Sequence, residues 1–223
     1  MIAAQSNVIE LRQYTLHPGK RDELIELFER EFIESQEALG MEIVGTFRDA
    51  DNPDRFVWLR GFPDMESRAR SLAAFYGGPV WKANREAANA TMIDSDNVLL
   101  LRPAWSGSGF RSAGARTPRG AAKAPPGVVV ATILYFVEAV AAAWLASFRR
   151  QTDTGIAALV TEPSANTFPA LPVREGENVF VHFALFAGVR SARAAAIPPE
   201  LERQAMRIET LRLLPTSRSR LHA

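Results

Sequence analysis

The order of secondary-structure elements predicted from this sequence occurs twice, and this repetition constrains the fold more than any other feature. In the first occurrence, alternating and β-branched residues predict strands, while apolar residues at helical spacing predict helices. Gly40 is predicted to end the first helix, and Gly77-Gly78-Pro79 to interrupt the second. The predicted strands cover residues 8–16, 41–48, 55–62 and 97–102, and the predicted helices cover 20–39, 65–75 and 80–90.

The second occurrence repeats this order with different residues. Its strands are predicted over 128–136, 156–161, 178–186 and 206–214, and its helices over 137–151 and 189–196. The order β-α-β-β-α-β is that of the ferredoxin-like fold. Two copies of one order within 223 residues indicate an internal duplication.

A stretch of small residues separates the two copies. Residues 103–127 are rich in Pro, Gly and basic residues and contain no acidic residue. Such a segment buries too little apolar surface to offset its ordering entropy, so we predict a flexible linker. The predicted organisation is a first repeat over 1–102, the linker over 103–127, and a divergent second repeat over 128–223.

Composition excludes several classes of function. Lys and Arg number 26 against 25 Asp and Glu, so the net charge of +1 gives no reason to expect nucleic acid as a partner. The absence of Cys excludes thiolate nucleophiles and cysteine-ligated metals, and three His are too few for us to predict a metal site. The N-terminus carries no secretory signal, and the longest apolar stretch, 128–145, is interrupted by Thr132 and Glu138. We therefore expect a cytoplasmic protein with no membrane partner.

Both faces of the predicted strand over 55–62 carry large or apolar residues. Val57 and Leu59 alternate with aromatic residues and Arg60. If Val57 and Leu59 pack on the helices, the other face also needs a cover. We therefore predict an α+β fold of two tandem ferredoxin-like β-α-β-β-α-β repeats, stacked face to face as an intrachain dimeric α/β barrel. The residues predicted to point into this barrel are Glu10, Arg12, Tyr14, Arg48, Phe56, Trp58 and Arg60 from the first repeat, and Thr132, Phe180 and His182 from the second.

Three segments of the first repeat resemble the NIPSNAP family. They are ELRQYTLHPGK at residues 10–20, DNPDRFVWLRGF at 51–62 and FYGGPVW at 75–81. The resemblance implies a dimeric α/β barrel of ferredoxin-like domains and an activity that is poorly defined for the family. The wider barrel group includes cofactor-free monooxygenases, haem-binding enzymes and small-molecule isomerases, so the resemblance restricts the function only loosely.

Charged residues of the predicted barrel form the first candidate site. Glu10, Arg12, Arg48 and Arg60 form either a paired ion network or a site for an anionic ligand, because buried charges are costly unless they are paired. Tyr14 is a candidate general acid or hydrogen-bond donor to an oxyanion, with Arg60 beside it as a second candidate catalytic residue. The alternative for Tyr14 is packing at the end of a strand.

Aromatic residues and one histidine complete the predicted binding residues. Phe56 and Trp58 either line a ligand wall or pack in the core. Trp81 and Arg85, four residues apart after the Gly-Gly-Pro break, either hold an anion or pack on the barrel rim. His182 is a candidate base or haem ligand, and the alternative is a core histidine.

Two hypotheses on function follow from these residues. The first is a small aromatic or anionic metabolite bound in the barrel, with cofactor-independent oxygenation or isomerisation assisted by Tyr14 and Arg60. The second is a non-enzymatic interaction or scaffold module. No cofactor is predicted, although haem at His182 is a third option, and association into a homo-oligomer is left open.

Overall fold

Eight antiparallel strands of this chain close into one barrel, and the helices lie outside it. The computed structural model describes residues 6–111, 116–121, 123–152, 155–192 and 197–223. The strands are β1 Val8–Leu16, β2 Glu42–Asp49, β3 Arg55–Phe62, β4 Met92–Asp94, β5 Val98–Pro103, β6 Val128–Phe136, β7 Gly155–Thr161, β8 Asn178–Phe186 and β9 Arg207–Pro215. Eight of these form the barrel, and the short β4 pairs with the end of β1.

The helices differ in length between the two halves. Helix α1 continues through one π-helical turn, Phe28–Phe32, into α2, where the sequence predicts a single helix over 20–39. Gly78 separates α3 from α4, as the Gly-Gly-Pro break predicts. The helices are α1 Arg21–Leu27, α2 Ile33–Glu37, α3 Met65–Gly77, α4 Pro79–Asn89, α5 Ala142–Gln151, α6 Val189–Ala192 and α7 Pro199–Glu202. Residues 193–196 of the predicted final helix lie outside the described residues.

The strand order confirms the predicted fold class. Around the barrel the order is β1-β3-β2-β9-β6-β8-β7-β5, and β5 pairs again with β1. Each half therefore places its fourth, first, third and second strands side by side, which is the ferredoxin-like order. The two halves join at two seams, between β2 and β9 and between β5 and β7.

The barrel interior is filled with apolar side chains. All eight strands contribute to this cluster, mostly with small branched residues, and no helix residue belongs to it. An eight-stranded barrel is just wide enough for side chains to fill it. The members from β1, β3, β6 and β8 are Ile9, Leu11, Val57, Leu59, Val129, Ala131, Ile133, Tyr135, Val179, Val181 and Phe183.

The described residues of the predicted linker are attached to the barrel. Arg116 donates to the carboxylate of Glu37 and to the carbonyl oxygen of Ile43, and Thr117 donates to the carbonyl oxygen of Ser217. Residues 112–115 and 122 of the predicted linker lie outside the described residues. Among the helices of the described chain, none has the length and apolar character that a membrane crossing requires.

Candidate functional site

Glu10, Arg12 and Arg60 face the helices, and the prediction that they point into the barrel is wrong. Glu10, Arg12 and Arg60 are fully buried, but the neighbours that fill the barrel are Ile9, Leu11, Val57 and Leu59. Tyr14, Phe56 and Trp58 likewise pack with the helices of the first half. The physical reason is volume, because the narrow barrel takes mainly aliphatic side chains and, among the described residues, only three buried rings, Phe47, Tyr135 and Phe183, whereas the layer under the helices accommodates more rings and the guanidinium groups.

Glu10 is the centre of a buried cluster with three arginines. Its Oε2 accepts from Arg12 Nη1 at 2.9 Å and from Arg60 Nη2 at 2.6 Å, and its Oε1 accepts from Arg68 Nε at 2.7 Å. All four side chains have no solvent-exposed surface. Three guanidinium groups against one carboxylate leave two positive charges in excess within this cluster.

The outer nitrogens of Arg60 and Arg68 donate hydrogen bonds to neutral side chains. Arg60 Nη1 donates to Gln36 Oε1 at 2.8 Å, and Arg68 Nη1 donates to Asn166 Oδ1 at 2.9 Å. Two buried donors, Arg68 Nη2 and Trp58 Nε1, have no hydrogen-bond partner in the part of the chain that the structure describes. A buried donor without an acceptor costs about 1–3 kcal/mol, so each of these two atoms is a donor that an acceptor from outside the chain can satisfy.

Electrostatics keep Glu10 ionised. Burial by itself would raise the pKa of Glu10, but the charges of Arg60, Arg12 and Arg68 outweigh it and hold the pKa well below its usual range. Burial would lower the pKa of Arg12, and the neighbouring Tyr14 and Glu10 raise it instead. Glu10 is therefore a permanent anion that already accepts from three arginines, which makes it a poor general base.

Tyr14 is a neutral donor beside this cluster. Its hydroxyl oxygen accepts from Arg12 Nε at 3.0 Å. Burial raises the pKa of Tyr14 above its ordinary value despite the opposing charge of Arg12, so the hydroxyl stays protonated at neutral pH. Among the described residues, none accepts a hydrogen bond from the Tyr14 hydroxyl. Tyr14 can therefore donate to a guest.

A small cavity beneath the helices adjoins the cluster through Tyr14 and Gln36, which line it and bond to Arg12 and Arg60, whereas the four charged side chains do not line it. Its volume is about 30 Å³, which is room for one or two waters or a group of similar size. The π-helical turn contributes Phe28 and Phe32 to its wall, and π-helical turns are frequent at functional sites. The guanidinium carbons of Arg60 and Arg12 lie 4.9 and 5.5 Å from the Trp58 ring. The cavity is lined by Tyr14, Leu24, Phe28, Phe32, Gln36, Trp58, Phe75, Tyr76, Trp81, Ala88 and Met92.

Comparison with known proteins identifies the half of the chain that holds this cluster. Residues 9–106 match the model of the NIPSNAP family. We name this half the NIPSNAP domain after that match. A NIPSNAP-like domain protein from Burkholderia xenovorans is 26% identical, and the match covers 48% of this chain and 93% of that chain with a TM-score of 0.43. None of the curated proteins matches the sequence.

Two solved structures resemble the whole chain, and both are named "putative monooxygenase". The protein from Lactobacillus acidophilus is 12% identical, and the match covers 96% of this chain and 98% of that chain with a TM-score of 0.53. The protein from Fusobacterium nucleatum is 8% identical, and the match covers 96% and 94% of the two chains with a TM-score of 0.57. At these identities the likeness shows the barrel fold alone.

Two predicted site residues of the NIPSNAP domain do not join the cluster, contrary to the prediction. Arg48 forms an ion pair with Asp22 on the surface, with Nη2 2.8 Å from Oδ1. Arg85 is exposed on α4 and does not line the cavity. Trp81 does line it, with its ring 5.7 Å from that of Phe32. The break before α4 thus directs the aromatic residue inward and leaves the arginine in solvent.

The described residues of the second half contain no counterpart of the charged cluster. Strand pairing sets Glu10 opposite Arg60 in the NIPSNAP domain, and Val130 opposite Ala184 at the corresponding place in the second half. Arg12 and Trp58 correspond in the same way to Thr132 and His182. Since Ala131, Ile133 and Val181 fill the barrel, Thr132, Phe180 and His182 face outward, and their predicted position inside the barrel is wrong.

His182 borders an open cavity of about 700 Å³ in the second half. Burial lowers the pKa of His182 to about 4, so the imidazole is neutral at physiological pH. Its Nε2 is buried without a partner in the described chain and packs against Gly155, where an added Cβ would lie 2.3 Å from this nitrogen. That contact leaves no space for haem iron at Nε2. Within the described residues, no group of three or more His, Asp or Glu is arranged to hold a metal ion.

Three residues of the cluster are absent from the sequence prediction: Arg68, Gln36 and Asn166. Arg68 occupies the apolar face of α3 with Leu72 and Phe75, and a charged residue on such a stripe is the signal that could have indicated it. Nothing in the local sequence singles out Gln36 or Asn166, which reach the cluster only through tertiary packing.

Proposed function

We propose that the NIPSNAP domain binds a small organic anion, aromatic or enolate-forming, between its sheet and helices. The observation that carries this proposal is the excess of two positive charges in a cluster with no solvent exposure. Buried charges without partners are destabilising, and a bound carboxylate or enolate would supply the missing negative charge. Arg68 Nη2, Trp58 Nε1 and the Tyr14 hydroxyl are the donors available to it.

The same arrangement supports cofactor-independent oxygenation better than isomerisation. Isomerisation needs a base to move a proton, and Glu10 is held as a saturated anion. The cluster instead favours the ionised form of a substrate that is already acidic, such as a phenol or an enol. The resulting carbanion would react with O₂. One oxygen atom would enter the product as a carbonyl. The other would leave as water, with the one hydrogen of the oxidised carbon and the proton that the phenol or enol gave up on ionising.

Tyr14 and the aromatic wall have separate parts in this proposal. Tyr14 donates to the developing oxyanion and keeps its own proton, because burial raises its pKa. With a guest bound, the rings of Phe28, Phe32 and Trp81 would shield it from solvent, which strengthens each electrostatic contact in the site. A cavity of about 30 Å³ holds only the ionised group of a larger molecule, so binding a ring requires the wall to move.

Benzoate and its uncharged analogue benzamide test the proposal. We expect benzoate to raise the melting temperature and to quench tryptophan fluorescence, because Trp58 and Trp81 line the cavity, and we expect benzamide to do neither. Arg68→Gln and Tyr14→Phe should each weaken benzoate binding by about 10-fold or more. Arg70→Gln is the matched control, since Arg70 lies on the same helix but is exposed and pairs with Glu66. Equal binding of benzoate and benzamide, or an equal loss in the control, would overturn the proposal.

Two observations favour the non-enzymatic alternative. The barrel interior is packed solid, and three exposed apolar side chains, Val137, Met206 and Ile208, lie at one end of the β6–β9 pair. Under this alternative, Met206→Glu abolishes self-association in sedimentation velocity, while benzoate leaves the melting temperature of the wild type unchanged.

A further inference from the structure

We infer that the β7–β8 connection of the second half, residues 162–177, is the cover of the NIPSNAP-domain site, and that Asn166 and Phe168 determine which anions enter it. This inference rests on the proposed function for the identity of the guest, but the cover itself is argued from contacts alone. Among the described segments of the second half, only this connection has side chains that form hydrogen bonds with the arginine cluster.

Asn166 ties the cover to the cluster. Its Oδ1 accepts from Arg68 Nη1 at 2.9 Å and from the backbone nitrogen of Phe168 at 3.0 Å, and its Nδ2 donates to the carbonyl oxygen of Leu171 at 3.0 Å. Thr167 adds a bond from its hydroxyl to the carbonyl oxygen of Met65 at 3.2 Å. The carboxamide is therefore held in one orientation, with its oxygen on the arginine whose other nitrogen has no partner.

Phe168 closes the aromatic wall from outside. Its ring stacks on Tyr76 with the centroids 5.8 Å apart and the planes at 23°. Tyr76 in turn contacts Phe75 at 5.1 Å and Trp81 at 4.9 Å, and all three line the cavity. A ligand with an aromatic ring has to displace part of this stack, so Phe168 controls the size of the guest.

The connection is anchored at both ends on the NIPSNAP domain. The backbone nitrogen of Glu162 donates to the carbonyl oxygen of Leu100 at 2.9 Å, and that of Arg174 donates to the carbonyl oxygen of Val98 at 2.8 Å. The segment between these anchors has an open cavity of about 600 Å³ beside it, bordered by Pro163, Ser164 and Val173. The cover therefore has space to move away from the site while its two ends stay attached.

The length of the connection also points to this role. The corresponding β2–β3 connection of the first half has five residues, 50–54, whereas the β7–β8 connection has sixteen, 162–177. A hairpin needs only 2–5 residues. Because the second half has Val130 and Ala184 where the NIPSNAP domain has Glu10 and Arg60, it has no such charged cluster of its own to cover.

Asn166 favours anionic guests because its own side chain is neutral. As an amide it accepts from Arg68 without cancelling the positive charge, so the excess remains available to a guest. An aspartate of nearly the same shape would neutralise Arg68 and compete with the anion. Asn166→Asp should therefore weaken benzoate binding by at least 10-fold while the fold is kept.

The cover is tested first without any ligand, by the reaction of Arg68 with phenylglyoxal followed by peptide mass spectrometry. In the wild-type chain, we expect Arg68 to react far more slowly than the exposed Arg70. Asn166→Ala and Phe168→Ala should each accelerate Arg68 modification about 10-fold, and Ser164→Ala, an exposed position on the same connection, should not. The same Arg68 rate in all four chains would overturn the cover, whether or not any anion binds.

Selection is then tested with benzoate and 2-naphthoate, monitored by tryptophan fluorescence. We expect Phe168→Ala to raise the affinity for 2-naphthoate relative to benzoate about 10-fold, and Asn166→Asp to weaken both anions without changing their ratio. Unchanged ratios and affinities in these variants would overturn the selecting role of the two residues. If the wild type binds neither anion, the proposed function fails and the inferred selection falls with it, while the Arg68 rates still decide the cover.

Discussion

A single carboxylate, that of Glu10, organises the residues of the candidate site. It accepts from Arg12, Arg60 and Arg68, which come from two strands and one helix. Charges of one sign would otherwise repel each other under the helices, where no water screens them. Glu10 thus has a structural role. The positive charge that it leaves uncompensated makes the site suitable for an anion.

His182, the counterpart of Trp58, makes the stability of the folded chain sensitive to acid. Its pKa is about 4 in the folded chain against an ordinary value of about 6.5 in the unfolded chain. As the pH falls from 6.5 to 4, the unfolded chain takes up a proton that the folded chain does not, so the free energy of unfolding decreases. We expect His182 to account for up to about 3 kcal/mol of this loss by pH 4.

Urea unfolding at several pH values between 7 and 4 checks this expectation. His182→Gln should flatten the dependence of the unfolding free energy on pH, whatever its effect at neutral pH. His17→Gln is the matched control, because His17 is exposed. If the slopes of the wild type and His182→Gln coincide, the imidazole is not the group responsible.

At the scale of single elements, the junction of α3 and α4 sets the position of the aromatic wall. Phe75 precedes the junction and Trp81 follows it, and their rings lie 6.0 Å apart at the cavity. Gly78 caps α4 in an extended conformation, and its α-carbon packs closely on the preceding turn. Gly78 and its neighbour Gly77 therefore differ in whether they have space for a Cβ.

Alanine at Gly78 and at Gly77 should have opposite effects on stability. A Cβ at Gly78 would lie 2.7 Å from the carbonyl oxygen of Ala74, so we expect a loss of about 1–3 kcal/mol. A Cβ at Gly77 meets nothing within 4 Å inside α3, so we expect a gain of about 0.4–1 kcal/mol. Chemical denaturation of both variants measures the difference. A stabilising Gly78→Ala would show that the junction is not tightly packed.

At the scale of the whole molecule, the two halves share one core. Leu213 of β9 is fully buried in the barrel and is paired with Val129 on one side and Asp49 on the other. The interior cluster takes residues from all eight strands, so neither half can lose its packing alone. We therefore expect the barrel to unfold as a unit.

Leu213→Ala tests whether the barrel unfolds as a unit. A buried Leu→Ala change costs about 2–5 kcal/mol, and the cost should lower hydrogen-exchange protection equally in β1 and β3 of the first half and in β6 and β8 of the second. Ile93→Ala, at a position 59% exposed on β4, is the control and should change neither. Loss of protection confined to β6 and β8 would mean that the halves unfold separately.

The sequence by itself determined the strands, their alternation and the ferredoxin-like order of each half. Period-two alternation places Glu10, Arg12 and Tyr14 on one face and Ile9 and Leu11 on the other, and this division holds in the structure. The N-cap of α3 was also determined by the local sequence, since the Asp64 carboxylate accepts a hydrogen bond from the backbone nitrogen of Ser67 at 2.6 Å.

Only the tertiary structure decided which face is the interior. Alternation gives the relative phase of side chains along a strand, but both faces of this sheet are buried, and burial alone does not distinguish them. The space available on each side makes the choice, with mainly aliphatic side chains in the narrow barrel and most of the rings and the buried arginines under the helices. The tertiary structure also decided the roles of Gln36 and Asn166, because their contacts depend on how distant elements pack, and no local pattern encodes that.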